Sequence, residues 1–355
     1  MKLDREIDRI LEEVNCLAKQ QGKLTGFCIG NTRKVNATGM YFSPIRNTTK
    51  LVAGSAIVYE VAQAESIARL IDGRVDYVLV DTEKKISPER YGGQNVGNVE
   101  RAVREIVRAS KILTYKGNDL TVDSIEGLVV EVLSSHPRGL SGKKAAIIGA
   151  GNLGSKLALK LVERGMNVTI TRRDREKLDT VVAALNFIKP LETIAKVSGS
   201  TDNLAAAKGA DLLIGLTDGS PVISAEMIET LAPGAVLVDA GKGCFLPEAI
   251  SLAERNDIPI YRADIRAGFE GHIGIALGTE HIVLRSLGRK EINGVHVVSG
   301  GLLGRMNEVV VDNVHDPRYV YGLANGVGDF IRVLDIDQKE RIQIIQQYIV
   351  SRDDQ

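Results

Sequence analysis

The residues of this chain that most directly suggest chemistry are three glycines, Gly149, Gly151 and Gly154, which follow a short apolar run. In a Gly-x-Gly-x-x-Gly pattern the first glycine turns tightly, the second has no Cβ to keep a diphosphate away, and the third lets a helix pack close to its strand. The positive end of that helix attracts phosphate groups. The spacing therefore predicts a dinucleotide site, to which Asn152 and Leu153 contribute further backbone amides.

The residues that follow the next predicted strand indicate which dinucleotide is bound. That strand ends at Thr171, and Arg172 and Arg173 come directly after it. An acidic side chain at this place accepts hydrogen bonds from the ribose of NAD, whereas a nearby arginine accommodates the additional phosphate of NADP. Asp174 has roughly the spacing of the ribose acid, but it is better placed as the cap of the next helix. We therefore favour NADP; the alternative is that both arginines are solvated surface charges.

Two later strands, predicted at 211–216 and 235–239, bring further polar groups to the same edge of the sheet. Thr217 and Asp218 follow the first of them, and Asp239 and Lys242 lie at the end of the second. Ligands of open α/β sheets bind at the carboxyl ends of the strands. We therefore expect these four residues to lie beside the nicotinamide.

Strand and helix patterns alternate along the chain, which predicts an α/β fold. The length of 355 residues suggests two domains, and the composition changes near residues 136–142. We predict an N-terminal α/β substrate domain at 1–135 and a Rossmann dinucleotide-binding domain at 136–300. A C-terminal extension at 301–355 is expected to pack back on the N-terminal domain or on a second subunit.

Helical periodicity makes several specific predictions about local structure. One amphipathic helix is expected at 3–20, a second helix at 98–113 and a third at 124–134. The tail carries Ile342, Ile345, Tyr348 and Ile349 on one face of a last helix. Amphipathic helices at both termini suggest a homodimer.

The overall composition is that of an ordinary globular protein. The 45 basic residues balance 45 acidic ones, so nothing in the net charge suggests a nucleic-acid partner. No apolar run approaches the length of a membrane span, and the first residues lack the apolar core of a signal peptide. We expect no membrane association and a cytoplasmic location.

Metal chemistry is not indicated by the cysteines or histidines. The three cysteines, Cys16, Cys28 and Cys244, form no Cys-x-x-Cys pair, and their number is odd. That pattern excludes a disulfide framework and fits a reducing compartment. The histidines show no ligand spacing, so no metal site is predicted.

The run from residue 117 to 172 resembles the shikimate dehydrogenase family. More loosely it resembles methylene-tetrahydropterin dehydrogenases and the reductase domain of glutamyl-tRNA reductase. The resembling residues are Gly117-Asn118-Asp119 with Thr121, Asp123 and Gly127, then residues 140–144 before the strand, the Gly149 turn, and the strand that leads to Arg172.

The resemblance implies roles for several residues. The family carries a catalytic Asp in a Gly-x-Asn-Thr-Asp stretch, which is broken here, so either Asp119 or Asp123 is the acid and Asn118 contacts substrate. Its catalytic Lys follows a strand of the first domain, a place that Lys84 and Lys85 occupy here without the usual preceding Pro. Gly30-Asn31, together with Ser43-Pro44 and Asn47, is similar to the family's amino-terminal substrate-binding signature. The further candidates for the lysine are Lys116 and Lys242.

A Lys and an Asp at the mouth of an NADP cleft suit hydride transfer to a small polar substrate. The hydride moves to or from carbon while a side chain gives or takes the proton on the neighbouring oxygen or nitrogen. We expect burial to lower the pKa of that lysine. Two alternatives remain: a one-carbon dehydrogenase acting on a methylene-tetrahydropterin, which needs no proton relay, and a nucleotide-binding regulatory or assembly protein without turnover.

Overall fold

The computed structural model of the chain describes residues 2–32, 39–86, 98–133, 139–217 and 219–353. The chain divides into two compact units, Met1–Ile273 and Gly274–Gln355. The first unit carries two largely parallel sheets and the second carries a mixed sheet. The predicted α/β class is confirmed. No helix among the described residues is both long and apolar enough to span a bilayer.

The first sheet has four parallel strands at its centre, in the order β4-β1-β5-β6. Two short antiparallel strands, β2 and β3, pair with the outer side of β4. The strands are β1 (Leu24–Asn31), β2 (Tyr41–Phe42), β3 (Arg46–Asn47), β4 (Leu51–Val58), β5 (Tyr77–Asp81) and β6 (Lys111–Tyr115). The helices are α1 (Lys2–Gln21), α2 (Val61–Ile71), α3 (Val99–Ile106) and α4 (Gly117–Val132).

One face of this sheet is covered by α1 and α2. The apolar stripe of α1, which includes Ile7, Leu11 and Val14, packs against Phe27 and Val52. These side chains are at most 1% exposed, and burying each such aliphatic side chain stabilises the fold by about 2 kcal/mol. The predicted amphipathic helix is therefore confirmed, and its apolar face is used within its own chain.

The second sheet is parallel throughout the described strands, in the order β12-β11-β10-β7-β8-β9. The chain reverses direction across the sheet between β7 and β10, where doubly wound sheets bind ligands. The strands are β7 (Lys144–Ile148), β8 (Asn167–Thr171), β9 (Val197–Ser200), β10 (Leu212–Gly215), β11 (Val236–Asp239) and β12 (Ile260–Arg262). The helices are α5 (Asn152–Glu163), α6 (Arg175–Ile188), α7 (Asn203–Ala207), α8 (Ala225–Glu229) and α9 (Pro247–Arg255).

A long helix, α10 (Arg266–Arg285), follows β12, and its first two turns return to the first sheet. The Nε2 atom of His272 lies 2.9 Å from the carbonyl oxygen of Thr114 at the end of β6. Gly268 donates its N–H to Ser124 of α4, and a Cβ at Gly268 would lie 2.3 Å from the carbonyl oxygen of Leu120. Only glycine permits this close approach of α10 to α4.

The second unit contains the mixed sheet β13-β14-β15-β16, with α11 against one face. Ile345 of α11 is fully buried against this sheet, as the apolar stripe of the tail predicted. The strands are β13 (Arg289–Ile292), β14 (Val295–Ser299), β15 (Val309–Val311) and β16 (Val320–Leu323), and the helix α11 is Ile336–Asp353.

The structure differs from the sequence-based predictions in three places. The helix expected at 98–113 ends at Ile106, and Lys111–Tyr115 forms strand β6 beside β5. The helix expected at 124–134 begins seven residues earlier, at Gly117. The expected boundary at residue 300 falls between β14 and β15, which pair in one sheet, while the boundary near 135 lies outside the described residues.

Candidate active site

The glycine-rich turn after β7 has the geometry that its sequence predicts. Gly149 has a φ of +124°, and a Cβ there would lie 2.5 Å from the carbonyl oxygen of Leu216. A Cβ at Gly154 would lie 2.0 Å from the carbonyl oxygen of Gly149. Both positions therefore exclude larger residues for reasons internal to the fold.

Gly151 differs, because no atom in the part of the chain that the structure describes lies within 4 Å of where its Cβ would be. It is the N-cap residue of α5, and it has no side chain to accept from the N–H groups of Leu153 and Gly154. The open space lies at the positive end of the helix. Residues 149–154 therefore fit a diphosphate, which would occupy the space that a Cβ at Gly151 would fill.

The end of β8 leaves basic side chains beside this turn. The carbonyl oxygen of Thr171 accepts from the N–H of Ala150 at 2.7 Å, and Nη1 of Arg172 donates to the carbonyl of Ala150 at 2.9 Å. Arg173 is exposed. Asp174 caps α6 by accepting from the N–H of Lys177, and this bond lowers the pKa of its carboxyl. The prediction that Asp174 is a cap is confirmed, so its carboxylate is already engaged.

Three of the four residues expected beside the nicotinamide occupy turns of the second sheet, and Asp218 lies outside the described residues. Thr217 donates its hydroxyl to the carbonyl of Ser220 at 2.6 Å. Asp239 is buried and accepts from the N–H groups of Gly243 at 2.8 Å and Cys244 at 3.3 Å. Lys242, within the same turn, is exposed and has a φ of +61°. The carboxylate of Asp239 therefore shapes the loop after β11.

An ion-pair cluster, Asp81, Glu83 and Lys85, lies at the carboxyl end of β5 in the first sheet. Nζ of Lys85 lies 2.8 Å from Oδ2 of Asp81 and 2.8 Å from Oε2 of Glu83. The side chains are 3%, 14% and 23% exposed for Asp81, Glu83 and Lys85, respectively. Lys84 is exposed and lies outside this cluster, so the structure separates the two candidate lysines.

The environment of Lys85 keeps its amine protonated. Burial acts to lower the pKa, but attraction to Asp81 and the hydrogen bonds to Asp81 and Glu83 outweigh burial, and the pKa is raised. The expectation of a lowered pKa is therefore wrong for this lysine, because two carboxylates accompany it into the site. Lys85 therefore carries a proton at neutral pH, and its raised pKa makes the ammonium a weaker acid than that of an ordinary lysine.

The same two carboxylates cap the first turn of α4. Oδ1 of Asp81 accepts from the N–H of Gly117 at 3.3 Å, and Oε2 of Glu83 accepts from the N–H of Asn118 at 2.9 Å. A Cβ at Gly117 would lie 2.9 Å from Nζ of Lys85, so a side chain there would displace the amine. The cluster and the start of α4 are therefore one structural feature.

Asn31, at the end of β1, fixes the backbone around the cluster. It is 5% exposed, donates to the carbonyl of Asp81 at 3.3 Å and accepts from the N–H of Lys85 at 3.1 Å. The sequence-based selection missed Asp81 and Glu83, and it named Asn31 only for its resemblance to a substrate-binding signature. It had no account of the bonds of Asn31 to the backbone of Asp81 and Lys85. The run of acidic and basic residues after β5 was a usable signal for Asp81 and Glu83.

The other polar residues of α4 contact α5 rather than Lys85. Nδ2 of Asn118 donates to Oδ1 of Asn152 at 3.1 Å. Asp119 pairs with Lys156 and, at 3.7 Å, with Lys116. Asp123 is half exposed and lies 3.1 Å from Lys160. The structure therefore does not bring Asp119 or Asp123 to the cluster, because both lie in a helical stretch facing α5.

Two of the three residues expected to bind substrate, Ser43 and Asn47, differ in their hydrogen bonding. The Ser43 hydroxyl is buried and has no hydrogen-bond partner among the described residues. Asn47 is exposed and bonds Lys23 and Gln21 near the end of α1. The amide of Asn47 is therefore occupied away from the cluster, while Ser43 keeps an unused donor.

Comparison with known proteins identifies the type of the second sheet's domain. A family model described as NADP oxidoreductase, coenzyme F420-dependent, matches residues 144–243. Glutamyl-tRNA reductase of Caldivirga maquilingensis is 26% identical over 254 residues, covering 65% of this chain and 62% of its own. Glycerol-3-phosphate dehydrogenase [NAD(P)+] of Streptomyces avermitilis is 29% identical over 116 residues, covering 31% of this chain and 34% of its own. The chain thus spans less than two thirds of either curated relative.

Among solved structures, L-tryptophan dehydrogenase from Nostoc punctiforme overlaps 73% of this chain and 75% of its own. Its identity is 14% and its TM-score 0.40, which is too low to bear on function. The family match and the geometry of the glycine turn together support one conclusion. Residues 144–243 are a nucleotide-binding domain of the NAD(P) oxidoreductase type.

Proposed function

We propose that the protein is an NADP-dependent oxidoreductase that transfers a hydride to or from a small polar substrate, with Lys85 as the proton donor. The observation that carries the proposal is the position of Lys85. Its amine is held by Asp81 and Glu83, and Glu83 is connected through Asn118 to Asn152 at the start of the nucleotide-binding helix.

The residues of the second sheet would hold the cofactor, which supplies the hydride when bound. The backbone of residues 149–154 surrounds the open space for the diphosphate. Arg172 and Arg173 stand where the phosphate of NADP is recognised, and Asp174 is engaged as a helix cap. This arrangement supports NADP over NAD.

Lys85 would act as the general acid that protonates the substrate oxygen. In the reductive direction the bond between Nζ and its proton breaks, and the proton forms a bond to the oxygen of the carbonyl group that is being reduced. Asp81 and Glu83 hold the ammonium in place and balance its charge. Because these carboxylates raise the pKa of Lys85, reduction is expected to persist through neutral pH and to decline only in alkaline solution.

A covalent route through a cysteine of the first sheet is not supported. Cys28 is 2% exposed, and burial raises the pKa of its thiol to about 12. The nucleophilic form of cysteine is the thiolate, which this environment suppresses. Direct hydride and proton transfer to a small carbonyl compound, in the manner of shikimate dehydrogenase, fits the residues better.

The test is to replace Lys85 by Met and to use Lys84→Met as the matched control. Shikimate and quinate with NADP⁺, and their keto forms with NADPH, are suitable first substrates, and absorbance at the nicotinamide band measures turnover. We expect Lys85→Met to lower turnover by about 10²–10⁴-fold, the usual contribution of a general acid, while NADPH binding persists. Lys84→Met should leave both unchanged.

Two results would contradict the proposal. Full activity of Lys85→Met with a methylene-tetrahydropterin would favour the one-carbon dehydrogenase, whose substrate needs no proton relay. NADPH binding without turnover of any tested carbonyl, alcohol or pterin would favour a regulatory nucleotide-binding protein.

The choice of NADP has its own test. Replacing Arg172 and Arg173 together by Gln should weaken NADPH binding about tenfold, roughly 1.4 kcal/mol, and leave NADH binding nearly unchanged. Titration of nicotinamide fluorescence measures both dissociation constants. Tighter binding of NADH than NADPH by the unaltered protein would contradict the assignment.

We also keep the homodimer and the cytoplasmic location as proposals. The apolar faces of α1 and α11 pack within their own units, so they no longer argue for a dimer. The exposed apolar residues of α10, Ile275 and Ile282, provide a different surface for one. Sedimentation equilibrium at micromolar concentration tests it, and a monomer would contradict it. The free thiols of Cys16, Cys28 and Cys244 fit a reducing compartment.

A further inference from the structure

We infer that Asn118 is a positioning residue, which couples the nucleotide-binding turn to the amine of Lys85 through its side chain on Asn152 and its backbone N–H on Glu83. The inference rests on the proposed function for its nucleotide ligand. It assigns Asn118 a role different from the substrate contact expected from the sequence. The coupling runs through three consecutive hydrogen bonds.

The first step of the coupling is the shared oxygen of Glu83. Oε2 of Glu83 accepts from Nζ of Lys85 at 2.8 Å and also from the backbone N–H of Asn118 at 2.9 Å. Glu83 is 14% exposed, so bonds to water cannot readily replace either contact. A displacement of the first turn of α4 therefore displaces the carboxylate that orients Lys85.

The second step is the side-chain bond between Asn118 and Asn152. Nδ2 of Asn118 lies 3.1 Å from Oδ1 of Asn152. Asn152 is the first residue of α5 and directly follows Gly151, beside which the proposed diphosphate would bind. A ligand that binds the first backbone amides of α5 therefore fixes the residue to which Asn118 is attached.

Besides the pair between Asp119 and Lys156 near the starts of both helices, further contacts keep α4 and α5 in register. Asp123 pairs with Lys160 at 3.1 Å, and Glu126 pairs with Lys160 at 2.7 Å and with Arg164 at 2.7 Å. These pairs lie farther along both helices and contact neither the glycine turn nor Lys85. They hold α4 in place, so that an adjustment at Asn152 acts on the first turn of α4. They also supply a control for the test.

Coupling of this kind is reciprocal. If the bound nucleotide changes the free energy of protonating Lys85, then protonation of Lys85 changes the affinity for the nucleotide by the same factor, and loss of Asn118, which connects the two, should reduce both effects. The two effects can be measured without any substrate. One is the dissociation constant of NADPH, and the other is the NMR signal of the Lys85 amine after reductive methylation with ¹³C-formaldehyde.

The experiment compares the full chain with its Asn118→Ala, Asn118→Gln and Asp123→Asn variants, after thermal unfolding has shown that each is folded. Lys85→Arg assigns the Lys85 signal. We expect Asn118→Ala to weaken NADPH binding about fivefold, at the lower end of the range for coupled sites. NADPH should shift the Lys85 signal in the unaltered protein but not in Asn118→Ala. Asn118→Gln should restore part of both effects, and Asp123→Asn should match the unaltered protein.

Three other outcomes would each contradict either the proposed function or the role of Asn118. If the unaltered protein binds neither NADPH nor NADH, the proposed function fails and the inference fails with it. If NADPH binds normally to Asn118→Ala and still shifts Lys85, only the inference fails. If Asp123→Asn weakens NADPH binding as much as Asn118→Ala, the effect belongs to the whole helix contact and the specific role of Asn118 is refuted.

Discussion

Two helices of the first unit, α4 and α5, both follow a parallel strand, but the N–H groups at their N-termini have different environments. Each follows a parallel strand after a short turn, α4 after β6 and α5 after β7. The first N–H groups of α4 are capped by Asp81 and Glu83. The N-terminus of α5 has no such cap, and the space beside Gly151 is open.

The difference shows how one physical property serves two purposes. The N-terminus of a helix carries a partial positive charge and unpaired N–H groups. At α4 the chain satisfies these groups with its own carboxylates, which then hold a lysine. At α5 the N-cap residue, Gly151, has no side chain to satisfy them, and the proposed diphosphate would do so. A protonated amine and an anion-binding turn are therefore joined through Asn118 and Asn152.

The largest expected effect comes from replacing two glycines of the turn before α5, Gly154 and Gly151, by alanine. The first change should affect stability and the second ligand binding. Gly154→Ala places a Cβ 2.0 Å from a backbone oxygen, so we expect a loss of about 2–3 kcal/mol in the free energy of unfolding. Gly151→Ala meets nothing within 4 Å and should leave stability unchanged. It should nevertheless weaken NADPH binding by tenfold or more, about 1.4 kcal/mol.

Urea denaturation and NADPH titration of the two variants provide the measurements. Gly127→Ala is the control, because Gly127 is a helical glycine with nothing within 4 Å of its missing Cβ. Equal destabilisation by Gly151→Ala and Gly154→Ala would show that both glycines are structural and that the open space is not a ligand site.

A somewhat smaller effect on stability is expected at the N-terminus of α4, where Asp81 caps the helix and pairs with Lys85. Asp81→Asn keeps the shape of the side chain but removes the buried negative charge that pairs with Lys85. We expect the free energy of unfolding to fall by about 2 kcal/mol. The pKa of Lys85 should fall, because the attraction of Asp81 raises it. The alkaline decline of the reductive reaction should therefore move to lower pH.

The control for Asp81 is Asp123→Asn, since Asp123 also pairs with a lysine but its side chain is 50% exposed. Exposed pairs contribute at most about 1 kcal/mol. Equal stability of the Asp81 and Asp123 variants in urea would mean that the cluster is not a buried ion pair.

The smallest effect concerns the ion pairs that join α4 to α5. Burial alone would raise the pKa of Glu126, but hydrogen bonds from Lys160 and Arg164 outweigh it, and the pKa is lowered. A lowered carboxyl pKa stabilises the fold above the pKa of the unfolded chain, and this stability is lost as the pH falls through the folded value. The loss of stability between neutral and acidic pH should therefore be smaller in Glu126→Gln than in the unaltered protein. The difference should be less than about 1 kcal/mol in the free energy of unfolding.

Thermal unfolding between pH 3 and 7 measures this effect. Glu131→Gln, an exposed change on the same helix, should leave the curve unchanged. If Glu126→Gln and the unaltered protein lose stability in parallel as the pH falls, these ion pairs do not contribute.

The proposed nucleotide-binding part of the site, formed by β7, the glycine turn and α5, could be predicted from local sequence. An apolar strand, a glycine turn and an amphipathic helix follow one another within residues 144–163, so every element of the motif is adjacent in the chain. The cap at Asp174 is local in the same sense, because its bond reaches only to Lys177. Such features are set by short-range sterics and hydrogen bonding.

The lysine half could be predicted only in part, because it is assembled from distant segments. The cap of α4 comes from Asp81 and Glu83, 36 and 35 residues away from their partners, so no local signal marks Gly117 as a helix start. Strand β6 is short and partly exposed, and its pairing with β5 overrides its apparent helical pattern. Lys85 was among the candidates, but the carboxylates that determine its charge were not.

The return of α10 to the first sheet has a consequence for how the protein is made. The N–H of Thr49 bonds the carboxylate of Glu270, 221 residues later, at 3.0 Å, and the guanidinium of Arg46 lies 5.4 Å from the ring centre of Phe269. A chain emerging from the ribosome can complete the contiguous second sheet before α10 contacts the first sheet. The part of the protein that is translated first therefore gains its last contacts only after the part that follows it.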